Sequence, residues 1–221
     1  MYKFFADQKE NDYFILDKET INHLKTIRIK DNEVFLINYQ DEFYQCLFEF
    51  PNQAKILKKE DINNENEFEI IACIPVIKAN HFEIALQKST ELGVNKIIPF
   101  YSEYTEKNNL NILNKEERLL KIIKQAAQQS FRNKVPQLMK LHSFDEILNL
   151  NINNKILAYE KAKTLPLTKQ NQTTLVIVGP EGGFSLNEIQ KAVEKNVKIV
   201  SLTNTILRAE TALIFMLCRI I

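Results

Sequence analysis

An α/β domain on a parallel sheet, preceded by a small all-β domain, is the fold class this sequence predicts. Three observations carry it. From Phe68 onward, apolar strand-like runs alternate with stretches of helical spacing, the pattern of helices packed on both faces of a parallel sheet. Up to about residue 57, short apolar runs are instead separated by polar turns, at the spacing of a small barrel or sandwich. Between the two, residues 58–67 are polar and aperiodic, which makes them the natural boundary. The expected domains are therefore 1–67 and 68–221.

In chain order, strands are expected at residues 13–16, 33–38, 43–50 and 54–57, with one helical stretch from Lys18 to about Thr26. Its tail, His23-Leu-Lys25-Thr-Ile-Arg28-Ile-Lys30, is the basic cluster of an otherwise acidic region, and reads either as a solvated face or as an RNA contact. In the second domain residues 68–74 form a strand. Phe82, Ala85, Leu86 and Ser89 then keep helical spacing up to Gly93, a C′ glycine. Residues 96–100 form the next strand, with Pro99 arguing for its end. Residues 115–130 form an amphipathic helix, with Leu119, Ile122, Ile123, Ala126 and Ala127 on one face. Strands follow at 155–159, 175–178 and 197–202. The last helix, about 210–220, is apolar nearly all round and must be covered by its own domain or by a partner subunit.

Composition narrows the class. Hydrophobic residues make up 45% of the chain, enough for a sizeable core. The net charge of +1 divides unevenly, roughly −5 up to Glu67 and roughly +6 beyond it, a weak cue for an anionic partner on the second part. Cys46, Cys73 and Cys218 are odd in number and far apart, so no disulfide framework is implied. His23, His81 and His142 lack metal-ligand spacing, so no metal is expected. The first residues lack the apolar run of a signal peptide, and no run approaches a membrane span; a soluble cytoplasmic protein is expected.

The chemistry concentrates between Leu175 and Ala212. An apolar strand runs into Gly179-Pro180-Glu181-Gly182-Gly183, where backbone can approach a ligand without Cβ atoms in the way. Ser185 and Glu188 stand at capping-box spacing, so a helix should start at about Leu186. Strand, glycine loop and helix N-terminus in this order make a ligand-binding edge of an α/β sheet. Alone this could be an ordinary turn. A second loop, Leu207-Arg208-Ala-Glu210-Thr211, sets a cation, an anion and a hydroxyl directly after another strand, which turn chemistry does not require.

With these motifs the sequence resembles the ribosomal RNA small-subunit methyltransferase E family of the SPOUT superfamily. Five blocks carry the resemblance in the family's order: His23-Leu-x-x-Ile-Arg28; Gln87-Lys88-x-Thr-Glu91-Leu92-Gly93-Val94; Gln129-Ser130-x-Arg132; Gly179-Pro180-Glu181-Gly182-Gly183-Phe-Ser185-x-x-Glu188; and Ile206-Leu207-Arg208-x-Glu210-Thr211-Ala212. The resemblance implies a PUA-like β-barrel followed by a trefoil-knotted parallel-sheet domain, one of the rare exceptions to unthreaded connections. It implies a homodimer that binds S-adenosyl-L-methionine and methylates N3 of one uridine in 16S ribosomal RNA of the small subunit.

The cofactor residues it implies are Tyr159, Glu160, Val178, the loop Gly179, Pro180, Glu181, Gly182 and Gly183, then Leu202, Ile206, Leu207, Arg208, Thr211 and Ala212. Glu181 reads as a brace of the loop rather than a contact to reacting atoms. The implied RNA contacts are Lys3, His23, Lys25, Arg28, Lys88 and Arg132. Arg208 and Glu210 are the catalytic candidates: Arg208 to contact a uracil carbonyl or hold Glu210, Glu210 or a water to accept the N3 proton. The same pair also reads as a structural ion pair fixing the loop. The chain departs from the family at Tyr104, Thr203-Asn204-Thr205 and Lys3, where arginines are usual; each change removes a guanidinium that could grip phosphate bidentately. Two rival readings remain open, a non-catalytic RNA-binding or assembly factor and a SPOUT methyltransferase acting on another RNA position.

Overall fold

The structure, a computed structural model, describes residues 2–162 and 167–221. The chain forms two compact units: Met1–Glu65 together with Ala127–Lys134, and Asn66–Ala126 together with Val135–Ile221. The sequence suggested one break near residue 67; the structure adds the separate segment 127–134 to the first unit.

The first unit contains β1 (Lys3–Phe5), β2 (Gln8–Glu10), β3 (Tyr13–Ile15), α1 (Lys18–Thr26), β4 (Val34–Tyr39), β5 (Glu42–Glu49) and β6 (Gln53–Glu60). They form one sheet in the order β1-β4-β5-β6-β3-β2, antiparallel except for the β1–β4 pair. Phe4, Phe14, Leu24, Phe35, Ile37 and Phe48 fill its core. Helix α1 starts where Asp17 Oδ1 accepts the Thr20 N–H at 2.7 Å. It ends in a Schellman motif: Ile29 N–H donates to Leu24 O and Arg28 N–H to Lys25 O. Arg28 therefore occupies the left-handed position, at φ +56°, that glycine usually takes.

Segment 127–134 joins this unit through polar groups. The Arg132 guanidinium, 3% exposed, pairs with Glu65, 8% exposed. Glu65 Oε1 also accepts the N–H groups of Asn133 and Lys134 at 2.9 and 3.0 Å. Asn133 donates to Asp41 O and Ile62 O and accepts from Asn64 N–H. Phe131 packs tilted against Phe43, with Lys3 Nζ 4.2 Å from its ring centroid. The expectation of Arg132 as an RNA contact is thus corrected: its charge is satisfied inside the protein.

The second unit contains β7 (Ile70–Pro75), α2 (Ala79–Glu91), β8 (Lys96–Tyr101), a 3-10 helix (Lys107–Lys115), most of α3 (Glu116–Gln129), β9 (Gln137–Leu138) and β10 (His142–Ser143). It continues through α4 (Phe144–Leu148), β11 (Asn154–Ala158), β12 (Thr174–Ile177), α5 (Leu186–Glu194), β13 (Lys198–Val200) and α6 (Ala209–Ile220). The sheet is parallel throughout, in the order β10-β8-β7-β12-β11-β13, with β9 also on β8. Alternate residues separate two cores. Ile70, Ala72, Ile74, Ile97, Ile156 and Val176 face α2, α3 and α6; Ile71, Cys73, Ile98, Leu157, Leu175 and Ile177 face α4 and α5. Helix α6 lies against α2, β7 and β12, which cover Leu213, Met216 and Leu217.

Strand β8 runs past Pro99 to Tyr101, contrary to the sequence expectation. Its outer edge is served by two short strands, β9 opposite Lys96 and Ile97 and β10 opposite Phe100 and Tyr101. Pro99, which has no N–H to donate, faces the gap between them.

Burial works to raise the Glu65 pKa, but the Arg132 hydrogen bond and charge and two backbone N–H groups outweigh it, so the carboxyl is held below its usual range. A depressed pKa contributes stability above the unfolded value and loses it as pH falls through the folded one. Urea midpoints should therefore drop below about pH 4.3, and drop less in Glu65→Gln. Arg132→Ala, which strands a buried carboxylate, should cost about 3–5 kcal/mol in the same measurement.

Candidate active site

Because β7, β12, β11 and β13 are adjacent and parallel, the loops leaving their C-terminal ends meet on one edge of the sheet. There they enclose a cavity of about 500 Å³, within the range of small-molecule sites. Lys78 and His81 come from the segment after β7, Tyr159 and Glu160 from that after β11. The glycine loop follows β12, and the stretch from Ser201 to Arg208 follows β13.

The glycine loop is tightly built. Gly183 N–H closes a turn onto Pro180 O at 2.9 Å, and Gly183 has φ +70°. Gly182 lies under the turn that follows β8, where a Cβ would come within 2.7 Å of Tyr104 Cβ. Ser185 and Glu188 form the expected capping box at the start of α5. Glu188 is buried, and while Oε2 accepts Ser185 N–H, Oε1 accepts Glu103 N–H at 2.9 Å, fastening that turn to the loop. Glu181 Oε1 accepts the N–H of Lys78, the cap residue of α2, at 3.3 Å. The carboxylate braces the loop against a helix N-terminus with no other side-chain cap.

Helix α6 begins at the second loop, with Arg208 as its N-cap residue and Glu210 in its first turn, where the helix dipole favours a carboxylate. Among the described residues Arg208 makes no ion pair with Glu210. Glu210 Oε1 instead meets His81 Nδ1 at 2.8 Å, with the two side chains 12% and 22% exposed. This corrects the reading of Arg208 as the group that holds Glu210.

Of the residues expected at the cofactor, Tyr159, Glu160, Gly179, Pro180, Glu181, Gly182, Gly183, Leu202, Ile206, Leu207, Arg208 and Ala212 line the cavity, as does Glu210. Val178 lies beneath it in the core, and Thr211 is exposed and outside its wall. Ile206, also lining it, is 85% exposed. The residues expected at RNA are dispersed. His23, Lys25 and Arg28 are exposed at the end of α1; Lys3 is half-buried over Phe131; Lys88, on α2, pairs with Glu91 at 2.9 Å. Sequence reasoning missed Lys78 and His81, which no local motif marks: His81 meets a carboxylate 129 positions away. Among the described residues no His, Cys, Asp and Glu cluster could hold a metal, and burial pushes the Cys46 thiol up to about 12.

The RNA methyltransferase domain family matches residues 64–221. A ribosomal RNA small subunit methyltransferase E from Mesomycoplasma hyopneumoniae (strain 232) is 39% identical over all of this chain and 99% of its own length. The crystal structure of a ribosomal RNA small subunit methyltransferase E from Neisseria gonorrhoeae, bound to S-adenosyl methionine, superposes with a TM-score of 0.88. It is 25% identical, over 99% of this chain and 95% of that one. A Legionella pneumophila protein solved in complex with the same cofactor is also 25% identical; it gives 0.83 over 98% and 95%.

The packing of the glycines is testable. Gly182→Ala forces the backbone of the facing turn to move and should cost about 1–3 kcal/mol by urea unfolding. Gly179→Ala should cost less, because its Cβ would meet the Phe184 ring at 3.1 Å, a contact relieved by a few tenths of an ångström.

Proposed function

This chain belongs to the ribosomal RNA small subunit methyltransferase E family, and we propose that it methylates N3 of one uridine in 16S ribosomal RNA, using S-adenosyl-L-methionine. Its fold is the corresponding SPOUT-type parallel-sheet domain preceded by a small PUA-like β-barrel. The observation that carries the proposal is the cavity in which the glycine loop, Arg208 and Glu210 converge at the ends of four adjacent strands. The site fits the group: it has the volume for a nucleoside, a glycine loop on its wall with open space where a Gly183 side chain would stand, and both signs of charge.

When bound, S-adenosylmethionine supplies an electrophilic methyl group on a sulfonium. The protein's part is to align that methyl with N3, to stabilise the developing uracil anion, and to take away the N3 proton. Backbone groups of Gly179, Gly182 and Leu202 are suited to the methionine and adenine parts, where the absence of bulk matters more than charge. Arg208, exposed at the cavity and without an ion pair among the described residues, is suited to a uracil carbonyl as charge develops on it. Glu210, partly sheltered and already ordered, is the acceptor for the proton. N3 faces the Watson–Crick partner of a paired base, so the uridine must leave its stack to reach this site.

RNA recognition we assign to the first unit through His23, Lys25 and Arg28, with Lys3 alongside. Arg28 supports this reading in a particular way: it keeps a left-handed backbone that costs a non-glycine residue about 1–2 kcal/mol, and its side chain is exposed. We place the enzyme in the cytoplasm as a homodimer acting on the small ribosomal subunit. No helix among the described residues is long and apolar enough to cross a membrane.

Mass mapping of 16S RNA from a deletion strain tests the whole proposal: one N3-methyluridine should disappear and return with the gene. Loss of a methyl group elsewhere would assign a different target, and no loss at all would favour a non-catalytic factor. Arg208→Ala should lower turnover by about 10²-fold or more while cofactor affinity by calorimetry stays nearly constant. Arg28→Gly should raise the melting temperature yet weaken RNA binding, with a salt slope shallower by about one phosphate contact.

A further inference from the structure

Sequence reasoning paired Glu210 with Arg208; the structure gives it a different partner. His81 stands in the first turn of α2 and Glu210 in the first turn of α6, and Nδ1 of one meets Oε1 of the other at 2.8 Å on the wall of the cavity. We infer that His81 is the positioning residue of the proton acceptor, orienting the Glu210 carboxylate for the N3 proton. The inference rests on the proposed role of Glu210.

An ionised carboxylate only accepts hydrogen bonds, so Nδ1 must carry the hydrogen, which fixes the imidazole tautomer. With Oε1 engaged, Oε2 is the oxygen left to receive a proton. A glutamate side chain has three rotatable bonds. Anchoring one oxygen removes most of that freedom before the substrate arrives, which is how a positioned base gains over a free one. In the step itself the N3–H bond breaks and its proton moves to Oε2. The N3 electron pair forms the new bond to the methyl carbon, and the pair of the breaking C–S bond stays on sulfur. The Nδ1 hydrogen stays on nitrogen throughout. His81 is therefore not a catalytic residue: it acts through Glu210. Lys78 and Arg208 lie on the same wall, but among the described residues the charge-assisted partner of this carboxylate is the imidazole.

The chain has three histidines, so ¹⁵N spectra of the imidazoles can be assigned by single substitutions. In the full-length protein His81 should show a protonated Nδ1, and in Glu210→Ala it should revert to the Nε2–H form that free imidazole prefers. A wild-type His81 with bare Nδ1 overturns the inference. On kinetics, His81→Ala should lower kcat by about 10- to 100-fold with cofactor affinity changed less than about threefold. His81→Asn, whose amide N–H falls near the place of Nδ1, should recover most of that loss. Equal impairment of both variants, or an Ala variant within about threefold of wild type, would sink the proposal.

Glu210→Gln separates the layers. If it keeps full turnover, the acceptor role of Glu210 fails. If it is impaired while His81→Ala is not, the acceptor reading survives and only the positioning inference falls. With Glu210→Gln already present, His81→Ala should add little, since the two act as one unit.

Discussion

A parallel sheet buried on both faces leaves only its two ends to water, and every strand ends on the same side. In this protein that constraint decides where chemistry can occur. Strand β12 is inserted between β7 and β11, so the segments after residues 75, 158, 177 and 200 become neighbours although the chain visits them far apart. Four loops crowded at one edge require small residues, a need that Gly179 and Gly182 fill, while Gly183 supplies the left-handed backbone of the turn. Their lack of side chains then leaves backbone accessible on the cavity side. The geometry that packs the loops also opens the site.

Two buried carboxylates hold distant segments where the sheet cannot. Glu188 joins the helix after the glycine loop to the turn that carries Tyr104. Glu65 joins segment 127–134 to the chain beyond β6. Each accepts backbone N–H groups as well as its more obvious partner, which is how a charge can be kept out of water at tolerable cost. Glu188 stands in a stretch whose motif character suggests ligand contact and Glu65 in a polar stretch with no motif, yet both act within the protein. Motif residues can serve the architecture of a site as well as its ligand.

Much of the fold was legible because periodicity and caps are local. The alternation after Phe68, the Ser185–Glu188 box, the Gly93 helix end and the extent of α1 all rest on neighbours within a few residues. What escaped was decided by distant neighbours. Short β1, β2, β9 and β10 have too few residues to show a pattern, and Pro99 is tolerated inside a strand only because the edge beside it is interrupted. The glycine loop and the second loop announced a site, but the partner of Glu210 could not be read: His81 is unremarkable until the sheet order brings α2 and α6 together. Arg132 misled for the opposite reason, since a guanidinium in a motif looks identical whether it faces phosphate or a buried Glu65.

The way the parallel sheet finishes at its margins bears on its fate in a crowded cell. On one side it stops with β13, three residues long; on the other with two-residue pieces separated by residues 139–141, opposite Pro99 of β8. A foreign strand seeking to extend the ladder would find almost no continuous row of free N–H and C=O groups, and a register lost after two or three pairings. Central strands as apolar as β7 and β12 would be hazardous at a margin. Confined to the middle and fenced by fragments too brief to template another chain, they leave the protein guarded against self-association through its sheet.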